Sequence, residues 1–191
     1  DDGGDDGGDD CGISGTVEYE DGSVGLGVQI QLCASLCRID WVSEDGSFEF
    51  SGVEDDVHAL KALVPGKIET YATPLTFVSL EAGVDRVLVD PLVVPEFTTV
   101  ESFSSAAVIE ADGGLMVNAD PVGFEGTFDS PDVYLASVRV DPSTSGLPIE
   151  GFDAAPGLED VVAIWYLGNH GAWAEPAWSF TVDAFTLDAE E

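Results

Sequence analysis

Basic residues are scarce: five Lys and Arg stand against 38 Asp and Glu in 191 residues, a formal net charge of -33. That balance excludes nucleic acid as a partner, because such binding rests on Lys and Arg neutralising phosphates and releasing counterions. Anionic lipid headgroups are excluded on the same ground. Also missing is any run of about 18 apolar residues, so no segment is expected to span a membrane. No stretch holds a 3.6-residue apolar period over ten positions, which leaves little room for amphipathic helices. The G-x-S-x-G elbow, H-E-x-x-H, the phosphate-binding G-x-x-x-x-G-K-[ST], a G-x-G-x-x-G entering a helix and the EF-hand loop are all absent. The familiar hydrolase, metalloprotease and nucleotide-binding signatures therefore fail, and the chain is not expected to be an enzyme or to require a cofactor.

What is present is β. Residues 1–10, DDGGDDGGDD, have no apolar period and nothing to bury, so they read as a solvated, disordered tether. From Cys11 short alternating segments follow one another, with Gly and Asp punctuation every 8 to 12 residues or so. Two prolines in VLVDPLVVPEF close this first region at residue 95. Residues 96–191 are β again, with SSAAVIEA, VYLASVRV, VVAIWYLG and AWSFTVDAFTL as their apolar segments. The expected fold is all-β, with two consecutive small antiparallel β-sandwich domains, 11–95 and 96–191, behind the tether.

Three cysteines bear on compartment. Cys33 and Cys37, in QLCASLCRID, flank a three-residue loop between the strand of Val28, Ile30 and Leu32 and one carrying Ile39 and Val42. That spacing suits a disulfide at a hairpin tip, and disulfides persist in oxidising compartments. Metal ligation is the competing reading, but no second Cys or His pair lies nearby to complete four ligands. Cys11 is then the odd cysteine, either a buried thiol of the first strand or a cross-link between chains. The chain is expected to act outside the cytoplasm, extracellular or at the cell surface, with any leader or lipid anchor upstream of residue 1.

A specific pattern runs through the first region. Gly15-Thr16-Val17 is followed by Asp21-Gly22, by Leu26-Gly27-Val28 with Ile30 and Leu32, by Asp45-Gly46-Ser47-Phe48-Glu49-Phe50 and Gly52-Val53, and by Val64-Pro65-Gly66. This succession resembles the transthyretin-like carboxypeptidase regulatory domain over roughly residues 11–92. His58 stands where that family usually has Tyr. The resemblance implies a structural or adhesive appendage without catalytic residues, in a secreted or surface-anchored setting. The physics of the parts agrees: D-G pairs supply the positive-φ residue of tight hairpins, and F-x-F places two aromatics on one face.

Candidate site residues are weighed against plain structural roles. Glu44 and Asp45, Glu54, Asp55 and Asp56, and Glu159 and Asp160 are carboxylate groups that a fold could fix around calcium, which takes six to eight oxygens. A solvated acidic surface, suited to solubility or high salt, is the simpler explanation of each. Trp173 and Trp178 could stack on sugar rings as a carbohydrate- or protein-binding face, whereas Trp165, alternating with Val161 and Ala163, reads as core. His170, in LGNHGAW, would need partners such as Ser179 or Asp183 to act as a base, and a turn role is simpler. His58 reads as a satisfied strand residue. The function favoured is a non-enzymatic extracellular or cell-surface structural protein acting by adhesion or self-assembly, with itself or a matrix component as partner. The rival readings are a tethered binding module and a hydrolase built on His170.

Overall fold

The structure is a computed structural model, and it describes residues 11–103, 105, 107–119, 124–125, 133–141, 164–168, 173–174 and 179–182. The acidic tract 1–10 lies outside them. Apart from a single 3-10 turn at Asp112–Gly114, all regular structure among the described residues is strand, so the fold is all-β. The chain divides into two compact units, one drawn mainly from residues 11–67 and Thr73–Pro95, the other from Ile68–Ala72, Glu96–Arg139 and the strands after residue 164.

The first unit holds β1 (Cys11–Tyr19), β2 (Gln29–Cys33), β3 (Cys37–Trp41), β4 (Ser47–Val53), β5 (Val57–Leu63), β6 (Leu75–Ser79), β7 (Arg86–Val87) and β8 (Leu92–Val94). In one sheet β1 pairs antiparallel with β4 and parallel with both β7 and β8. The other sheet runs β3-β2-β5-β6 and is antiparallel throughout. Period-two alternation decides what each strand buries. Ile13, Val17, Phe48, Phe50, Leu92 and Val94 are buried from the first sheet, and Ile30, Leu32, Leu60, Ala62 and Val78 from the second. The F-x-F pair meets as a tilted aromatic contact, with ring centroids 6.3 Å apart.

Two Asp-Gly turns fix the hairpins. Gly22 and Gly46 have φ of 78° and 87°, a region in which side chains with a Cβ are strained. At the second turn Asp45 Oδ1 accepts bonds from the Ser47 hydroxyl at 2.7 Å and the Ser47 N–H at 3.1 Å. These two bonds, the hydroxyl foremost, hold the Asp45 carboxyl below its usual range. A depressed folded pKa contributes stability that is present above the unfolded value and lost as pH falls through the folded one. Ser47→Ala is therefore expected to return Asp45 toward an ordinary titration near pH 4 and to weaken the acid dependence of stability below that pH. Carboxyl NMR titration reads the first effect, and an Asp45 midpoint unmoved by the substitution would contradict it.

Cys33 and Cys37 form a disulfide across the tip of the β2-β3 hairpin, where their register pairs them directly. Loop-closure entropy assigns so small a ring about 2 kcal/mol. Cys33→Ser with Cys37→Ser is expected to lower the thermal midpoint of this unit by about 10 °C. A midpoint within a degree of the parent would show that the hairpin is held by its ladder alone.

The second unit holds β9 (Thr99–Phe103), β10 (Ala107–Ala111), β11 (Leu115–Ala119), β12 (Phe124–Glu125), β13 (Val133–Val140), β14 (Ile164–Gly168), β15 (Trp173–Ala174) and β16 (Ser179–Val182). Its sheets run β10-β11-β16 and β14-β13-β9, with β12 and β15 as a separate pair. Ile109, Ala111, Leu115, Val117 and Leu135 form its buried cluster, with Trp165 packed against it. Asp112 ties the turn to two strands: its N–H donates to Ser137 Oγ, its carboxylate accepts the Arg139 N–H, and its carbonyl accepts Trp165 Nε1–H. Arg139 also lies over the Trp165 ring. Burial pushes the Tyr166 phenol up.

Candidate interaction surface

The outer face of the β3-β2-β5-β6 sheet sets itself apart by chemistry. Its register aligns Trp41, Gln29 and Leu63 in one row, Ile39, Gln31, Lys61 and Leu75 in the next, then Cys37, Cys33, Ala59 and Phe77, and finally Val57 and Ser79. The chain has 38 carboxylate side chains, and among the described residues none falls in these rows. Val57 is 55% exposed, Ile39 55%, Trp41 53%, Phe77 40% and Leu75 37%. Leu36, at the hairpin tip beside them, is exposed as well. Lys61 is the one charged residue in these rows. Asp55 and Asp56, in the turn before β5, lie at the rim. Exposed apolar side chains on the two end strands thus flank Gln29, Gln31 and Lys61 on the central ones, and large exposed apolar side chains on a face without carboxylates mark an interaction surface rather than the ordinary surface of so acidic a chain. The outer face of the β1 sheet differs, with Ser14, Thr16 and Glu18 on β1 and Glu49 and Ser51 on β4.

The sequence misleads locally about this face. Ile39 and Val42 were expected in one strand; the strand ends at Trp41, and of the two Val42 is buried and Ile39 is outside. The β2 register decides this: Ile39 is paired with outward-facing Gln31, while Ile30 and Leu32 point inward. In β5 and β6 both faces are apolar, so alternation alone carries no contrast. The outward set becomes visible only once strand parity is known.

The flank where β3 meets β4 is sealed by polar groups. Asp40 Oδ1 accepts the Trp41 N–H at 2.9 Å and Oδ2 the Glu49 N–H at 3.3 Å. Arg38 Nη1 donates to the Ser51 and Gly52 carbonyls at 2.7 and 2.9 Å, with its guanidinium over the Phe50 ring. The Ser47 carbonyl accepts the Ser43 N–H at 2.8 Å. Inward-pointing charge on an end strand keeps that edge from pairing with another chain.

The remaining candidates take structural positions. Cys11 is buried, and its thiol donates to the Val53 carbonyl at 3.0 Å. Of its two readings the structure therefore places the buried thiol, and a cross-link between chains would require the first strand to open. His58 is buried, with Nε2 2.9 Å from the Glu54 carbonyl. A cavity of about 220 Å³ beside the disulfide is lined by Leu32, Leu36, Arg38, Val53, Glu54 and His58, but Arg38 and His58 are turned to backbone carbonyls. Glu44, Asp45, Glu54, Asp55 and Asp56 are exposed. Among the described residues no three His, Cys, Asp or Glu gather where an ion could be held. Trp173 stands opposite Glu125, and Ser179 opposite Asn118, in the strand ladders. Trp178, Glu159, Asp160, His170 and Asp183 lie outside the described residues. No described helix is long and apolar enough to cross a membrane. No protein-family model matches the chain, and no curated protein matches it.

Proposed function

We propose that this chain is a non-enzymatic structural subunit that works outside the cytoplasm, in the medium or at the cell surface, by self-assembly. The two sheets of its first unit stack as a small sandwich of the transthyretin-like kind, and residues 96–191 form a second sandwich. One observation carries the reading: an exposed sheet face with five large apolar side chains and, in its described rows, no carboxylate, in a chain of net charge -33. Two copies meeting through the outer face of the β1 sheet would bring Glu18 and Glu49 of each together. Meeting through this face, they bury apolar side chains and keep acids at the rim. The Cys33–Cys37 disulfide supports an oxidising compartment.

Magnitudes say when assembly occurs. A half-exposed apolar side chain gains on the order of 1 kcal/mol on full burial. The five large ones on each of two copies then supply about 10 kcal/mol, within the roughly 4–15 kcal/mol that association costs in lost freedom. Electrostatics therefore decides the balance. The Debye length shrinks from about 30 Å at 0.01 M salt to about 3 Å at 1 M, so assembly should rise steeply with salt. Light scattering of the full chain across that range, with calcium and with chelator, tests this. A monodisperse monomer under every condition would sink the proposal.

A further inference from the structure

The same sheet has a second end strand, β6, and it is guarded differently from β3. Hydrogen-bonded and non-bonded pairs alternate in an antiparallel ladder. Ala62 N–H bonds the Pro74 carbonyl and Leu80 N–H bonds the Asp56 carbonyl, each at 3.0 Å. Thr76 and Val78 therefore turn their main-chain groups to β5, and Leu75, Phe77 and Ser79 turn theirs to the open edge. Among these outward groups the Ser79 carbonyl receives Arg86 Nη1 at 3.2 Å. No described residue is bonded to those of Leu75 or Phe77. The strand, LTFVS, contains no charge, no proline and no shift of register against β5. Those are the devices that keep an edge from pairing, and β3 has two of its five residues charged where β6 has none.

We infer that the β6 edge pairs antiparallel with the β6 edge of a second copy of this chain, about a two-fold axis at Phe77. In that register Phe77 faces Phe77 of the other copy and Leu75 faces Ser79, so each outward N–H meets a carbonyl, that of Ser79 accepting on its second lone pair beside Arg86. Side chains agree: Leu75 and Phe77 of both copies share one outer face and make an apolar cross-strand patch. Charge selects the occupant. A strand without carboxylates is a place where two chains of net charge -33 approach without like charges opposed. An isologous contact of this kind closes at a dimer. The contact uses edge backbone and goes beyond the face contact proposed above; either can fail alone, and both together, as two different two-folds, would link copies into an open assembly.

Cysteine cross-linking of the full chain in 1 M salt tests it. Phe77→Cys should be trapped as a covalent dimer under mild oxidation, while Ser51→Cys, on β4 of the other sheet, and the parent chain form no covalent dimer. Paired cysteines at a two-fold lie about 5.5 Å apart, within disulfide range. Phe77→Lys and Phe77→Glu should each lose the dimer in sedimentation, with unchanged circular dichroism, and an equimolar mixture of the two should regain it. Cross-linking of Phe77→Cys no faster than of Ser51→Cys, or a mixture that stays monomeric, would overturn the inference. Retention of the Phe77→Cys dimer in a Trp41→Glu background would separate this contact from the outer face.

Discussion

Trp41→Glu is expected to leave the first unit folded and to lower face-to-face association more than a hundredfold. Trp41 is 53% exposed at the end of β3, and its backbone N–H is bonded to the Asp40 carboxylate, which the substitution leaves in place. Exposed changes away from special features usually cost within about 0.5 kcal/mol of stability, so thermal midpoints should barely move. In the assembled state the new carboxylate would be buried against apolar side chains, near its own counterpart in a two-fold contact. An unpaired ion taken out of water costs several kcal/mol, and about 3 kcal/mol already exceeds a hundredfold in an equilibrium constant. Lys61 is two residues away in the pairing network, across Gln31 and Ile39 rather than beside Trp41, so it cannot neutralise the new charge in a direct pair. Glu at Ser51 on the other sheet adds the same charge to a face that already carries Glu49 and Glu18, and should leave association unchanged. Light scattering that finds the two variants alike would show that net charge alone governs the behaviour.

Phe50→Ala is expected to cost the first unit about 3–5 kcal/mol, the range for truncating a buried aromatic. Phe50 is 3% exposed, its ring centroid lies 6.3 Å from that of Phe48, and the Arg38 guanidinium lies over the ring, 5.7 Å from its centroid. Domains of this size are stable by only about 5–15 kcal/mol, so the variant should melt some 15–30 °C lower or fail to accumulate. Arg38 would keep its two carbonyl bonds but lose the surface that holds its plane, weakening the sealed flank as well as the core. Denaturant unfolding measures the loss. A cost below about 1 kcal/mol would mean that Phe50 is not a core residue of the unit.

Much of the fold was legible because its signals are local. The Asp21-Gly22 and Asp45-Gly46 pairs turn the chain at positive φ as expected, Phe48 and Phe50 are buried together, and Cys33 and Cys37 are joined. Long-range order was not legible. Nothing in RVLVDPLVV states that its two short strands lie parallel to β1, because parallel pairing is set by distant chain and leaves no turn signature. The candidate surface was hidden for a related reason. Ile39, Trp41, Leu75 and Phe77 look like core residues until the register shows that their partners Gln29, Gln31, Lys61 and Ala59 face outward.

Sedimentation equilibrium of the full chain and of Trp41→Glu, from 0.01 to 1 M salt, tests the self-assembly proposal most directly. The parent should pass from monomer toward dimer or polymer as the Debye length contracts to about 3 Å, while the variant stays monomeric across the outer face at every salt concentration, retaining at most the dimer made through β6. A parent chain that remains monomeric at 1 M salt, or a variant that associates as the parent does, would contradict it.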